Sequence, residues 1–170
     1  MRRGLLGALT SMLTVSALLA AWSSYVGSFL ARLEAKLEHN PGLAAVLPVL
    51  MAATGAAASS VGSSIATHVH LGTVSARRVA YDTVVQGSAL ILVTLAYTLA
   101  VTLTFSGRSS LVTTVLLSAT LTYLLAVVVA IVSTFASVML GFDPDDVVGP
   151  VVTTAADSAG ILITLLLAPG

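Results

Sequence analysis

Five stretches long enough to cross a bilayer dominate this chain, four of them without a charge and the fifth with a single acid. A membrane-crossing helix needs roughly 20 consecutive, predominantly apolar residues, and the stretches at 4–31, 42–67, 83–105, 111–140 and 147–168 meet that requirement. They predict an all-α integral membrane protein, a single five-helix transmembrane domain filling residues 1–170.

Composition agrees with that reading. The chain is 57% hydrophobic and 8% charged, whereas an ordinary soluble domain is about 25% charged. Nothing in it reads as a water-soluble enzyme. Seven basic and seven acidic residues cancel and are scattered, so the basic surface that binds nucleic acid is missing. With no cysteine there is neither a disulfide nor a thiolate metal site, and no resident cofactor is expected. Ala, Val and Leu supply the apolar content alongside many Ser, Thr and Gly, the small residues that let helices approach closely in lipid.

The connections between the stretches carry charge or turn chemistry. Arg32, Glu34, Lys36 and Glu38 alternate in sign at helical spacing before a break at Asn40-Pro41-Gly42, which extends the first helix into water. The second link holds His68, His70, Arg77, Arg78 and Asp82, the third is residues 106–110, and the fourth is Gly141-Phe142-Asp143-Pro144-Asp145-Asp146. Lys and Arg favour the cytoplasmic side. Placing Arg2 and Arg3 there also places Arg77 and Arg78 there, against Arg32, Lys36 and Arg108 opposite. The expected topology in the cell membrane is N-terminus cytoplasmic and C-terminus extracellular. The start of the chain, Met1-Arg2-Arg3 followed by an apolar run, also resembles a secretory signal peptide, but the run is longer than is typical.

Asp157 is the one acid inside the fifth stretch. A carboxylate at mid-bilayer costs about 2.5–3.5 kcal/mol on insertion scales, so it requires a partner, a water cavity or an ion. No Lys or Arg lies within another span to pair with it, which favours a mobile cation over simple hydrogen bonding to neighbouring hydroxyls. At about 100° per residue, Asp146, Pro150, Thr153, Thr154, Asp157, Gly160 and Thr164 fall on one helical stripe, polar or small along its length. Asp143, Asp145 and Asp146 cluster around Pro144, where acids cap a helix and complement its dipole; as oxygen ligands they also suit a hard ion such as Mg²⁺ or Ca²⁺. In the second stretch, Gly55, Ala56, Ser59 and Ser60 belong to a run of small residues. Such a run either packs tightly or lines a narrow passage with carbonyls and hydroxyls. His68 and His70, two apart, point to different faces of a helix and are expected as interfacial polar residues. Asp82 and Gln86 stand one turn apart at the start of the third helix, with Asp82 four residues from Arg78.

Residues 143–160, running Asp-Pro-Asp-Asp through Pro150, Thr153-Thr154 and Asp157 to Gly160, resemble the last-helix motif of MgtE-type magnesium transporters and their solute-carrier relatives, with the interval from Asp143 to Asp157 matching without a gap. Leu47-Pro48 through Gly55 to Leu71-Gly72 is similar to the family's second-helix segment, with Ala56 where the family has Asn. The resemblance implies a homodimer whose path runs beside facing copies of the second and fifth helices, with Asp157 as the central ion site and Mg²⁺ as the transported ion rather than a cofactor. The sequence departs from the bacterial pattern in showing no soluble regulatory domain, so gating by such domains is not expected. Mg²⁺ sheds water reluctantly, so two Asp157 carboxylates holding a hydrated ion, with Thr153 and Thr154 orienting its waters, make a workable pore. The three acids at the mouth would raise the local cation concentration. A Na⁺- or H⁺-coupled divalent cation exchanger and a non-transporting membrane subunit are the alternatives.

Overall fold

The computed structural model describes residues 5–29, 34, 37–104 and 109–168. Arg2, Arg3, Arg32, Lys36 and Arg108, on which the expected orientation partly rests, lie outside the described residues, as do both ends of the first predicted stretch and the far end of the third. Among the described residues the regular structure is helical: α1 (Leu5–Gly27), α2 (Pro41–His70), α3 (Ala76–Thr104), α4 (Ser109–Met139) and α5 (Pro144–Leu167). Helices α2 to α5 are long and apolar enough to cross a membrane, and α1 is apolar through the shorter stretch Met12–Gly27. At 1.5 Å per residue α2 to α5 measure about 36–46 Å, more than the roughly 30 Å of a bilayer's hydrocarbon core. The chain is a multi-pass membrane protein.

Helix ends do not coincide with the ends of the apolar stretches. Helix α3 starts at Ala76, so Arg77, Arg78 and Asp82, placed by the sequence in a connection, lie in its first two turns. Charge limits burial in lipid; it does not end a helix, and the ends are set by other devices. Helices α2 and α4 finish in the same Schellman-type turn. Gly72 (φ 66°) and Gly141 (φ 73°) take the left-handed conformation, the Thr73 N–H reaches back to the His68 carbonyl at 2.9 Å, and the Phe142 N–H to that of Ser137 at 2.8 Å. Helices α2 and α5 both begin with a proline whose missing N–H costs nothing at that position.

The central bundle is made by α2, α3, α4 and α5, with the most extensive contact between α4 and α5, and α1 packs on α5 from outside. Ala58, Val61 and Ile65 of α2, Ala126 and Ala130 of α4, and Val148, Val152 and Ala156 of α5 share one buried cluster. The closeness of these helices depends on glycine. A Cβ on Gly62 would stand 2.5 Å from Val148 Cγ1, and one on Gly87 would stand 2.9 Å from the Tyr123 ring, whose hydroxyl donates to the Thr83 carbonyl at 2.7 Å. Some buried hydroxyls return their protons to their own helix, as Thr54 does to Leu50 and Thr134 to Ala130, which satisfies them without water. Trp22 donates its indole N–H to Ser158 Oγ at 3.0 Å, tying α1 to α5.

Candidate functional site

The outward faces of the bundle are of two kinds. Leu13 and Leu18 on α1, Leu92 and Leu103 on α3, and Leu117, Val128 and Val132 on α4 are exposed, as residues facing lipid should be. Helix α2 differs: its exposed positions are Pro41, Ala44, Pro48, Ala52, Ala56, Ser60, Ser63, Thr67 and His70. Within α2 none of the exposed side chains is a large hydrophobe. On α5, running antiparallel beside it, the exposed residues up to mid-helix are Asp145, Pro150, Thr153 and Asp157, and large apolar exposure resumes only at Leu162.

Asp157 is therefore on the outer face of the single chain, fourteen positions along from the capping residue of α5, and among the described residues no ion pair or hydrogen bond holds its carboxylate. Thr153, one turn away, shares the face and donates its hydroxyl to the carbonyls of Gly149 and Pro150 at 3.0 and 3.1 Å. Pro150, with no N–H, cannot bond the Asp146 carbonyl four residues back, so that oxygen is released from the helical ladder. Of the expected stripe, Asp146, Pro150, Thr153 and Asp157 are partly or fully exposed. Gly160 and Thr164 turn inward, Gly160 against Met51 and Thr122. Thr154 is half-buried and lies with Ser158, Trp22 and Leu19 around a cavity of about 460 Å³ on the α1 side. A 3.6-residue period identifies a stripe; how far along it a neighbour covers it depends on where the helices cross.

The small-residue run in α2 divides in the same way. Gly55 is buried and faces α5, where an added Cβ would meet Thr153 Cα at 3.6 Å and Ala156 Cβ at 3.8 Å. It is a packing residue. Ala56, Ser59, Ser60 and Ser63 instead line a groove of about 380 Å³ with Pro144, Asp145, Val148 and Gly149. Within it the Ser59 hydroxyl is buried without a protein partner, while Ser60 accepts from Gln86 Nε2 of α3 at 3.0 Å. Asp82 of α3 accepts from Ser64 at 2.5 Å. The sequence placed Asp82 and Gln86 one turn apart on α3; the structure shows that both are bonded to serines of α2.

At the end of the groove, Asp143 is the N-cap of α5 and its Oδ1 accepts from the Asp145 N–H at 3.1 Å, with Asp145 and Asp146 in the first turn. The capping role is thus filled by one acid of the three. His70, expected as an isolated interfacial residue, stands against the cap: Nε2 lies 3.7 Å from Asp143 Oδ1 and Nδ1 lies 3.7 Å from Asp145 Oδ2. His68 turns elsewhere, to the Thr73 hydroxyl at 2.9 Å.

A helical bundle with one outward face of small and hydroxyl-bearing residues, and a carboxylate in the middle of it, defines a membrane protein that handles a polar or charged species within the bilayer. The MgtE family of divalent cation transporters matches the chain over residues 47–167, more than half its length, and the chain belongs to that family. None of the curated proteins compared with it matches. The match takes in α5 from cap to end and α2 from Leu47 onward, the two helices that border the groove.

Proposed function

We propose that the chain conducts a divalent cation, Mg²⁺ in the first place, along the face shared by α2 and α5, that a second copy closes this face, and that Asp157 is the central ion site. One observation carries the reading: Asp157 and Thr153 lie on the only span-length outward surface, among the described residues, that exposes no large apolar side chain until Leu162. A carboxylate there faces either lipid, at about 2.5–3.5 kcal/mol, or water and a cation. Pairing two copies across a two-fold axis would bring two such carboxylates to one axis and put water between them. A Mg²⁺ ion that keeps its inner waters suits that arrangement, because hydroxyls and freed carbonyls such as that of Asp146 can bind water without matching a bare ion's geometry.

Ser59, Ser60, Ala56 and Thr154 supply the remaining lining or flank in this reading, and Asp143, Asp145 and Asp146 attract cations to the mouth. Arg77 and Arg78, in the first turn of α3 at the same end, support a cytoplasmic mouth in this reading, since Lys and Arg favour that side, with the C-terminus outside. Purified protein in liposomes loaded with a Mg²⁺ indicator tests the site. The expected result is flux in the wild type and at least a tenfold loss in Asp157→Asn. Equal flux in the two removes Asp157 from the path, and no flux in either makes the α2/α5 face a docking surface for another protein.

A further inference from the structure

His70 belongs to the last turn of α2, and Asp143 and Asp145 open α5, seventy-odd residues later. One ring nitrogen and one oxygen from each carboxylate all lie within 4.8 Å of one another. We propose that these three side chains form a binding site for a borderline transition-metal dication of the Zn²⁺ class, distinct from the hard-ion site at Asp157.

Three observations support this. The first is distance: donors held about 2.0–2.2 Å from one zinc ion are at most about 4.4 Å apart, so small rotations of the three exposed side chains bring the set into coordination range. The second is charge. Two carboxylates this close repel even in water, and the side chains are 45–57% exposed, where an imidazole–carboxylate pair contributes little to stability. Capping and the helix dipole account for acids at this end of α5 but not for an imidazole set against both of them, and a dication would relieve the repulsion. The third is preorganisation. The Schellman turn after His70 and the N-cap bond from the Asp145 N–H to Asp143 fix both backbones, so the donors need little ordering. An imidazole with two carboxylates favours zinc, cobalt or manganese over Mg²⁺, which prefers oxygen alone and gains nothing from nitrogen. Bound there, the ion would fasten the end of α2 to the start of α5 at the mouth of the groove.

The proposal rests on donor geometry rather than on the transport reading, and binding is measured without flux. Tag-free purified protein in detergent is titrated with Zn²⁺ in a large excess of Mg²⁺ by calorimetry. One Zn²⁺ per chain is expected, bound at least tenfold more weakly in His70→Ala and in Asp145→Asn, and unchanged in Asp157→Asn. Undiminished binding in His70→Ala, or full competition by the Mg²⁺, overturns the site. A second measurement leaves His70 intact. The chain has three histidines, so in a His39→Ala, His68→Ala background any nitrogen coupling from imidazole in the pulsed electron paramagnetic resonance of bound Cu²⁺ comes from His70. Its appearance supports the assignment and its absence refutes it.

Discussion

A Cβ on Gly62 would stand 2.5 Å from Val148 Cγ1 and 3.3 Å from Ala130 Cβ, whereas one on Gly149 would meet nothing within 4 Å. The same substitution should therefore have opposite effects at the two positions. Gly62→Ala overpacks the junction of α2, α4 and α5, a fault that costs about 1–3 kcal/mol, and should lower the thermal midpoint of the detergent-solubilised protein. Gly149→Ala should leave it unchanged or raise it, since alanine exceeds glycine in a helix by about 0.5–1 kcal/mol. Adding Val148→Ala to Gly62→Ala removes the atom in the way and should recover part of the loss; no recovery would mean that the contact is not what limits the approach of these helices. Asp157 was legible in the sequence because a lone acid in an apolar stretch is conspicuous without any neighbour. The grouping of His70 with Asp143 and Asp145 was not. Spacing along one helix compares His70 only with His68, and its partners come from another helix. Nor could the run 55–64 be sorted in advance, because Gly55 and Ala56 differ in exposure only through which one faces α5.

At the scale of the element, the two left-handed glycines end α2 and α4 alike. A residue with a Cβ held at φ near +70° is strained by about 1–2 kcal/mol, so Gly72→Ala should lower the thermal midpoint although nothing lies within 4 Å of the added Cβ. An unchanged midpoint would show that the turn relaxes to another cap. These ends explain where the sequence reading of the elements stopped. The apolar stretches gave the number and order of the helices, since each is set by length and hydropathy. Helix α3, however, continues back through Arg77, Arg78 and Asp82 to Ala76, beyond its apolar stretch. The extra turns carry the charged side chains, and Asp82 is held there by Ser64 of α2. Similarly, the polar stripe of α5 was readable as a stripe, yet its upper half at Gly160 and Thr164 is covered by neighbours that periodicity cannot place.

The molecule as a whole presents lipid-type surfaces on α1, α3 and α4 and a different surface on α2 and the first half of α5. If a second copy covers that face around a water-filled path, two properties must coincide there: proximity to its counterpart and access to water. The absence of cysteine from the chain makes both measurable with single-cysteine variants. Ala56→Cys and Thr153→Cys should be joined into dimers by a short bifunctional maleimide in native membranes, and Leu103→Cys, 87% exposed on α3, should not. A membrane-impermeant, water-soluble maleimide should label Thr153→Cys and leave Leu103→Cys untouched. Cross-linking without labelling would describe a dry interface between copies, which is incompatible with a hydrated ion held at Asp157 one turn away. Labelling without cross-linking would describe a wet face closed by some other chain, and the homodimer would fail while the ion site stood. Only the joint result places two Asp157 carboxylates on one aqueous axis, where their combined charge can offset the partial dehydration of a dication.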